Sequence, residues 1–173
     1  MKKRFLACVI LLGWTFSAAA QNCGSSGVFV QVLGSGGPQL QDGRAASAYL
    51  VWINGKARVL VDIGGGAALR FAESGARIAD LDAILFTQLD ASHSAGLPAL
   101  VNASRFAQRT APLPIYGPDA SRAFPSTISF VRALFDETHG AYRSLGGFLS
   151  PLGRAVYKLK PHEVTAKWDI SKP

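Results

Sequence analysis

Cysteine is nearly absent: the 173-residue chain contains Cys8 and Cys23 and no others. With no C-x-x-C spacing and no set of paired thiols, a disulfide scaffold, a zinc ribbon and a thiol redox motif are all excluded. Histidine is equally scarce, with His93, His139 and His162 the three in the chain. Acidic residues number 11 against 18 basic ones, for a formal charge of +7. The basic residues are scattered and form no aromatic-basic stripe, so no specific nucleic-acid partner is expected. Charged residues make up 17% and hydrophobic residues 49%, a balance too apolar for a disordered chain and suited to one globular domain.

Hydrophobic runs are short. The run "LACVILLGWTF" falls below the roughly 20 apolar residues that span a bilayer. It follows the basic "MKKRF" and precedes "SAAA", the small-x-small pattern of a signal-peptidase site. Residues 1–20 are therefore predicted to be a signal peptide cleaved after Ala20, leaving no stable membrane anchor and a periplasmic or secreted protein. Gln21 and Asn22 ahead of Cys23 are poor neighbours for lipidation. Loss of Lys2, Lys3 and Arg4 takes the formal charge from +7 to +4. Cys8 leaves with the leader, so Cys23 has no partner within the mature chain.

What remains alternates strand and helix signals. "VFVQVL" alternates and stops at "GSGGP"; "ASAYLVWING" and "ARVLVDIGGG" read as two strands turning at Asn54-Gly55. "AALRFAESG" has helical spacing with Gly75 as C-cap, and "IADLDAILFT" is a turn feeding a buried strand. "SAGLPALVNASRFAQ" reads as one helix carrying Pro98 early, "APLPIYGP" as a strand. A further helix follows Pro125, and "RAVYKL" is predicted as the last strand. Three antiparallel strands followed by strand-helix alternation give an α/β layered domain. No capping element is visible at "KWDISKP", so an unprotected sheet edge or membership of a longer domain is expected there, with self-association through exposed edge and apolar face.

Two stretches carry candidate chemistry. In "VLVDIGGG", Asp62 ends a buried strand before three glycines, which let backbone approach a ligand closely. Phosphate cradling, an acid that orients metal ligands, and a tight strand-to-helix turn are all compatible with it. In "FTQLDASHSAGLPAL", Gln88 and Asp90 share one side of an extended segment, and Ser92 and His93 enter the next turn. His93 and Asp90 are possible metal ligands; Gln88 is a poor one, and Ser92 cannot replace a carboxylate. Ser92 beside His93 is no triad, since adjacent residues seldom face each other and no orienting acid is identified.

The succession "VLGSGGP…ASAYLVWINGKARVLVDIGGG…IADLDAILFTQLDASHSAGLPALV…PLPIYGP" resembles the N-terminal half of a metallo-β-lactamase-fold hydrolase. It is closest to the ribonuclease Z and arylsulfatase-like branch, over roughly residues 28 to 135. The resemblance implies the N-terminal portion of an αββα sandwich, with a partial domain over residues 28–173. It also implies zinc and hydrolysis of a small-molecule ester or phosphoester. The family motif Thr-His-x-His-x-Asp-His lays Thr87 on its threonine and His93 on its last histidine. Gln88, Asp90 and Ser92 fall on slots whose ligands are replaced, and Asp62 on the Asp-x-Gly acid that supports the metal. His139 and His162 sit in no family-like context. The expectation is an exported relative with a degenerate motif, weakly active or inactive. One alternative is a working hydrolase in which Asp90, His93 and Asp62 hold a single ion, manganese or magnesium rather than zinc. Another is a non-catalytic binding module.

Overall fold

The computed structural model describes residues 25–165. The predicted leader, Cys8 and Cys23 lie outside the described residues. Six strands form one sheet in sequential order: β1 (Val28–Gly34), β2 (Ala48–Ile53), β3 (Lys56–Val61), β4 (Ala83–Leu85), β5 (Leu113–Pro118) and β6 (Leu159–Val164). β1, β2 and β3 are antiparallel; β3 to β6 run parallel. The helices lie in the parallel half: α1 (Ala67–Glu73), α2 (Ala91–Ser94), α3 (Leu97–Ala103) and α4 (Thr127–Phe135). This is the mixed α/β layer that the sequence implies.

Local chemistry explains most of the boundaries. Asn54 and Gly55 take φ of 49° and 73°, so the β2–β3 hairpin turns through two left-handed residues, which Asn-Gly accepts at little cost. Gly75, at φ 76°, ends α1 just beyond its Ser74 cap. Ser126 caps α4 by accepting from the Ser129 amide. The helix predicted over "SAGLPALVNASRFAQ" begins at Leu97 and passes into a 3-10 turn over Ser104–Phe106. α2 is one turn, Gly96 caps α3, and Pro98 occupies its first turn, where no amide hydrogen is needed.

The sheet's two faces differ. Leu50, Leu60, Ile84 and Ile115 stand in register and are fully buried against Phe71, Leu97, Val101, Val131 and Phe135. On the other face, Val30, Val51, Val59 and Ala83 stand in register, and among the described residues no helix covers them. At the sheet end where β4 begins, the buried Arg109 donates to the carbonyls of Ile78, Leu81 and Pro112 at 3.0, 2.6 and 2.6 Å, tying those loops together. Its guanidinium lies 5.6 Å from the Tyr157 ring centre, and the Tyr157 hydroxyl donates to Ser104 Oγ at 2.6 Å. Tyr157→Phe, which removes one buried hydrogen bond, is expected to lower unfolding stability by about 1 kcal/mol in urea melts.

One strand lies elsewhere than predicted. "RAVYKL" is largely loop, and β6 begins at Leu159 and runs through Lys160-Pro161-His162. Its pairing with β5 alone makes it an edge strand, which tolerates a proline. Among the described residues, no helix is long and apolar enough to cross a membrane.

Candidate functional site

Chemistry-bearing side chains gather at the carboxyl ends of β3 and β4, the end of an open α/β sheet where ligands bind. The chain leaves β3 through Asp62, held at φ 56°, a left-handed conformation uncommon outside glycine. The neighbouring backbone fixes that turn. Ile63 N donates to His93 O at 2.7 Å, Gly64 N to Ser47 O at 3.0 Å, and Gly96 N to Ile63 O at 2.8 Å. Gly64 lies so close to the next loop that a Cβ on it would fall 2.1 Å from the Ser92 carbonyl oxygen. At Gly64, the first glycine of "DIGGG" serves tight backbone packing between strand and loop.

Asp62 itself is buried, and both its oxygens are engaged. Oδ1 accepts from Thr87 N at 2.8 Å and Oδ2 from Thr87 Oγ1 at 2.7 Å. It thereby fixes the first residues after β4. Its remaining near neighbour is His93, with Nε2 at 3.9 Å from Oδ2, beyond hydrogen-bond reach.

Asp90 caps α2. Its Oδ1 accepts from Ser92 N at 2.8 Å and Ser92 Oγ at 2.6 Å, and lies 3.1 Å from His93 Nδ1. The Ser92 hydroxyl, and after it the His93 ring, hold the Asp90 carboxyl below the usual carboxylate range, because both hydrogen-bond to the ionised form. Gln88 closes the cluster. Its amide Nε2 donates to Asp90 Oδ2 at 2.8 Å and lies 2.9 Å from His93 Nδ1 and 3.4 Å from Nε2. Nδ1 also lies 3.0 Å from Ser92 Oγ, so one ring nitrogen faces three polar partners. In one tautomer Nδ1 donates to Asp90; in the other it accepts from Gln88.

The structure thus brings together all five residues singled out in the sequence: Asp62, Gln88, Asp90, Ser92 and His93. It leaves the other two histidines apart from one another. His139 is exposed beside Asp136, and His162 stacks on Tyr116 with ring centres 4.8 Å apart on β5 and β6. Two roles escaped the sequence reading. Thr87 holds both oxygens of Asp62, which no local pattern announces across 25 residues. Asp90 is an N-cap, and an aspartate directly ahead of "ASHS" was a readable signal for it. A cavity of about 320 Å³ opens at the opposite end of the sheet, lined in part by Ser104, Arg105, Arg154 and Tyr157, away from this cluster.

The donor set does not suit a zinc ion. Both oxygens of Asp62 already accept from Thr87, and the two side chains that could ligate, Asp90 and His93, both lie against a hydrogen-bond donor, the Gln88 amide. Among the described residues no group of three or more His, Cys, Asp or Glu could hold a metal. Three protein ligands is the usual minimum for a catalytic zinc.

The fold and the position of this cluster define a class, and sequence comparison gives the same class. Residues 42–163 match the model of the metallo-beta-lactamase superfamily, and the chain belongs to that superfamily. Its relatives include the ribonuclease Z of Methanosarcina mazei, 32% identical over 135 residues, covering 77% of this chain and 44% of that protein. The ribonuclease Z of Lachnoclostridium phytofermentans is 31% identical over 108 residues, 62% of this chain and 34% of the relative. That of Mycobacterium bovis is 37% identical over 107 residues, 60% and 36%. The chain thus spans less than half the length of these relatives. Among solved structures, human tRNase Z, short form, superposes with a TM-score of 0.53 at 23% identity, over 80% of this chain and 46% of that one. A metallo-beta-lactamase fold protein of Bacillus subtilis gives 0.52 at 23%, over 80% and 47%. These two likenesses concern the fold. The ribonuclease names of these relatives do not match the expectation, drawn from scattered basic residues, of no specific nucleic-acid partner.

Proposed function

We propose that this chain is a catalytically silent member of the metallo-beta-lactamase superfamily, keeping the fold and the strand-end cluster without the metal chemistry. The observation that carries the reading is the Gln88 amide nitrogen seated between Asp90 and His93. A neutral donor there satisfies the carboxylate and imidazole that a cation would need. Without a bound metal, no water is acidified to a hydroxide nucleophile at neutral pH. Ser92 supplies no substitute: His93 Nδ1 lies 3.0 Å from its hydroxyl, but the hydroxyl donates to Asp90 Oδ1 at 2.6 Å and so does not give its proton to the imidazole. The remaining role is a binding module, and the leader read in residues 1–20 supports placing it outside the cytoplasm.

Metal analysis of protein purified without chelator tests this, together with hydrolysis of an aryl ester, an aryl phosphodiester and a short RNA. RNA is included because the relatives bear the name ribonuclease Z. The expected result is metal far below one ion per chain and rates at buffer background on all three substrates. One tightly held ion per chain with hydrolysis abolished by EDTA would establish the second reading. In it, Asp90 and His93 bind a manganese or magnesium ion and Asp62 supports them. The approach of Asp90 and His93 to 3.1 Å, with Asp90 held ionised, favours that arrangement.

A further inference from the structure

The cavity at the amino ends of the strands has no part in the strand-end cluster, and its volume of about 320 Å³ lies at the small end of the range that ligand pockets occupy. Two segments build its walls: residues 104–107, which follow α3, and residues 144–157, which precede β6. Its floor is apolar. Leu145, Phe148 and Tyr157 are 4%, 6% and 2% exposed, and the Phe148 and Tyr157 ring centres lie 5.0 Å apart. The polar atoms there are used inside the fold: the Tyr157 hydroxyl donates to Ser104 Oγ, which donates to Val101 O, both at 2.6 Å. The loop from Gly147 to Gly153 is fastened. Lys158 Nζ donates to the carbonyls of both glycines at 2.7 Å, and a Cβ on Gly153 would collide with the Gly147 Cα. A cavity already held in shape costs a ligand little ordering.

At the rim the chemistry changes. Arg105 and Arg154 line the cavity and are exposed, and no lining residue is acidic. The arginines that form ion pairs among the described residues are Arg44, Arg58, Arg70 and Arg77, so neither rim guanidinium is neutralised by one of their carboxylates. The buried Arg109, 5.6 Å from the Tyr157 ring centre, adds positive charge behind the floor. We propose that this cavity binds a small organic carboxylate, with an aromatic or branched apolar body on the floor and the carboxylate at Arg105 and Arg154. A guanidinium fork matches a carboxylate in shape and charge, whereas a neutral apolar molecule would leave both arginines unused. The inference goes beyond a silent strand-end site: it names a ligand for the other end of the sheet and stands whether or not the cluster holds an ion.

Calorimetric titration of the purified protein with phenylacetate, phenylacetamide and acetate tests this. Phenylacetate is expected to bind at one per chain, at least about tenfold more tightly than either the neutral amide or the anion without an apolar body. Its affinity is expected to fall with added salt. Arg105→Gln and Arg154→Gln are each expected to weaken it about tenfold, the loss of one charge-assisted pairing, with unchanged melting temperature. Arg143→Gln, at an exposed arginine outside the cavity, is expected to leave it unchanged. Amide chemical shifts are expected to move at Leu145, Phe148 and Ala155 and to stay fixed at Gln88 to His93. No saturable binding at millimolar phenylacetate, equal affinity for the amide, shifts confined to residues 88–93, or full affinity in the variant lacking both rim arginines would overturn the proposal, as would binding of phenyl phosphate with phenylacetate excluded.

Discussion

Asp62→Ala is expected to lower unfolding stability by about 3–4 kcal/mol, a melting-temperature loss of roughly 8–15 °C for a domain of this size. The carboxylate is buried and accepts two hydrogen bonds from Thr87, one from its amide and one from its hydroxyl. Alanine would leave both donors without a partner and keep a left-handed backbone that a Cβ without a polar group disfavours. Asp62→Asn separates this structural role from the need for a negative charge. Its carbonyl still accepts from Thr87 N, its amide can donate to Thr87 Oγ1, and asparagine tolerates positive φ. Asn is therefore expected to cost no more than about 1 kcal/mol. Thermal melts of both variants check this; an Asn variant as unstable as the Ala variant would mean that the charge itself holds the turn.

Gly64→Ala is expected to be at least as damaging, by about 3–5 kcal/mol. A Cβ at this position meets the Ser92 carbonyl oxygen at 2.1 Å and the Ala46 side chain at 2.7 Å. The first neighbour is backbone and cannot rotate away. Relief requires moving α2 off the end of β3, which breaks the Ile63–His93 and Gly96–Ile63 hydrogen bonds. Gly65→Ala is the control, since nothing lies within 4 Å of a Cβ there. With a backbone that alanine adopts freely, it is expected to fall within about 0.5 kcal/mol of wild type or slightly above it. Chemical denaturation of the pair measures the contrast. Equal effects would refute the view that close packing, rather than ligand approach, explains Gly64.

The two substitutions concern one piece of construction. Gly64 lets the chain after β3 lie against α2, which carries Ser92 and His93, while Asp62 reaches across to Thr87. Together they fix the strand-end cluster. Neither contact involves Gln88, so the floor of the site persists whatever occupies its rim.

Patterns confined to neighbouring residues were legible in the chain itself. Alternation marked β1, β2 and β3, Asn54-Gly55 marked their hairpin, and Pro125 and Gly75 marked helix ends, because propensity, capping and turn sterics act over a few residues. The family motif located Asp62, Gln88, Asp90, Ser92 and His93 as one group. Where the reading went astray, distant packing had overridden the local pattern. "RAVYKL" alternates like a strand, yet its Tyr157 is drawn beneath Arg109 and Ser104, and the strand starts two residues later through a proline. The predicted helix around Pro98 starts at Leu97, just after Gly96, which is pinned to Ile63. Composition and spacing set the fold class and the identity of the residues at the strand ends. Tertiary structure alone decided that Thr87 engages both oxygens of Asp62, that the Gln88 amide lies between Asp90 and His93, and that Tyr157 sits beneath Arg109. Those outcomes depend on side chains meeting across tens of residues, where the geometry of parallel strands, and no local preference, determines which atoms come within reach.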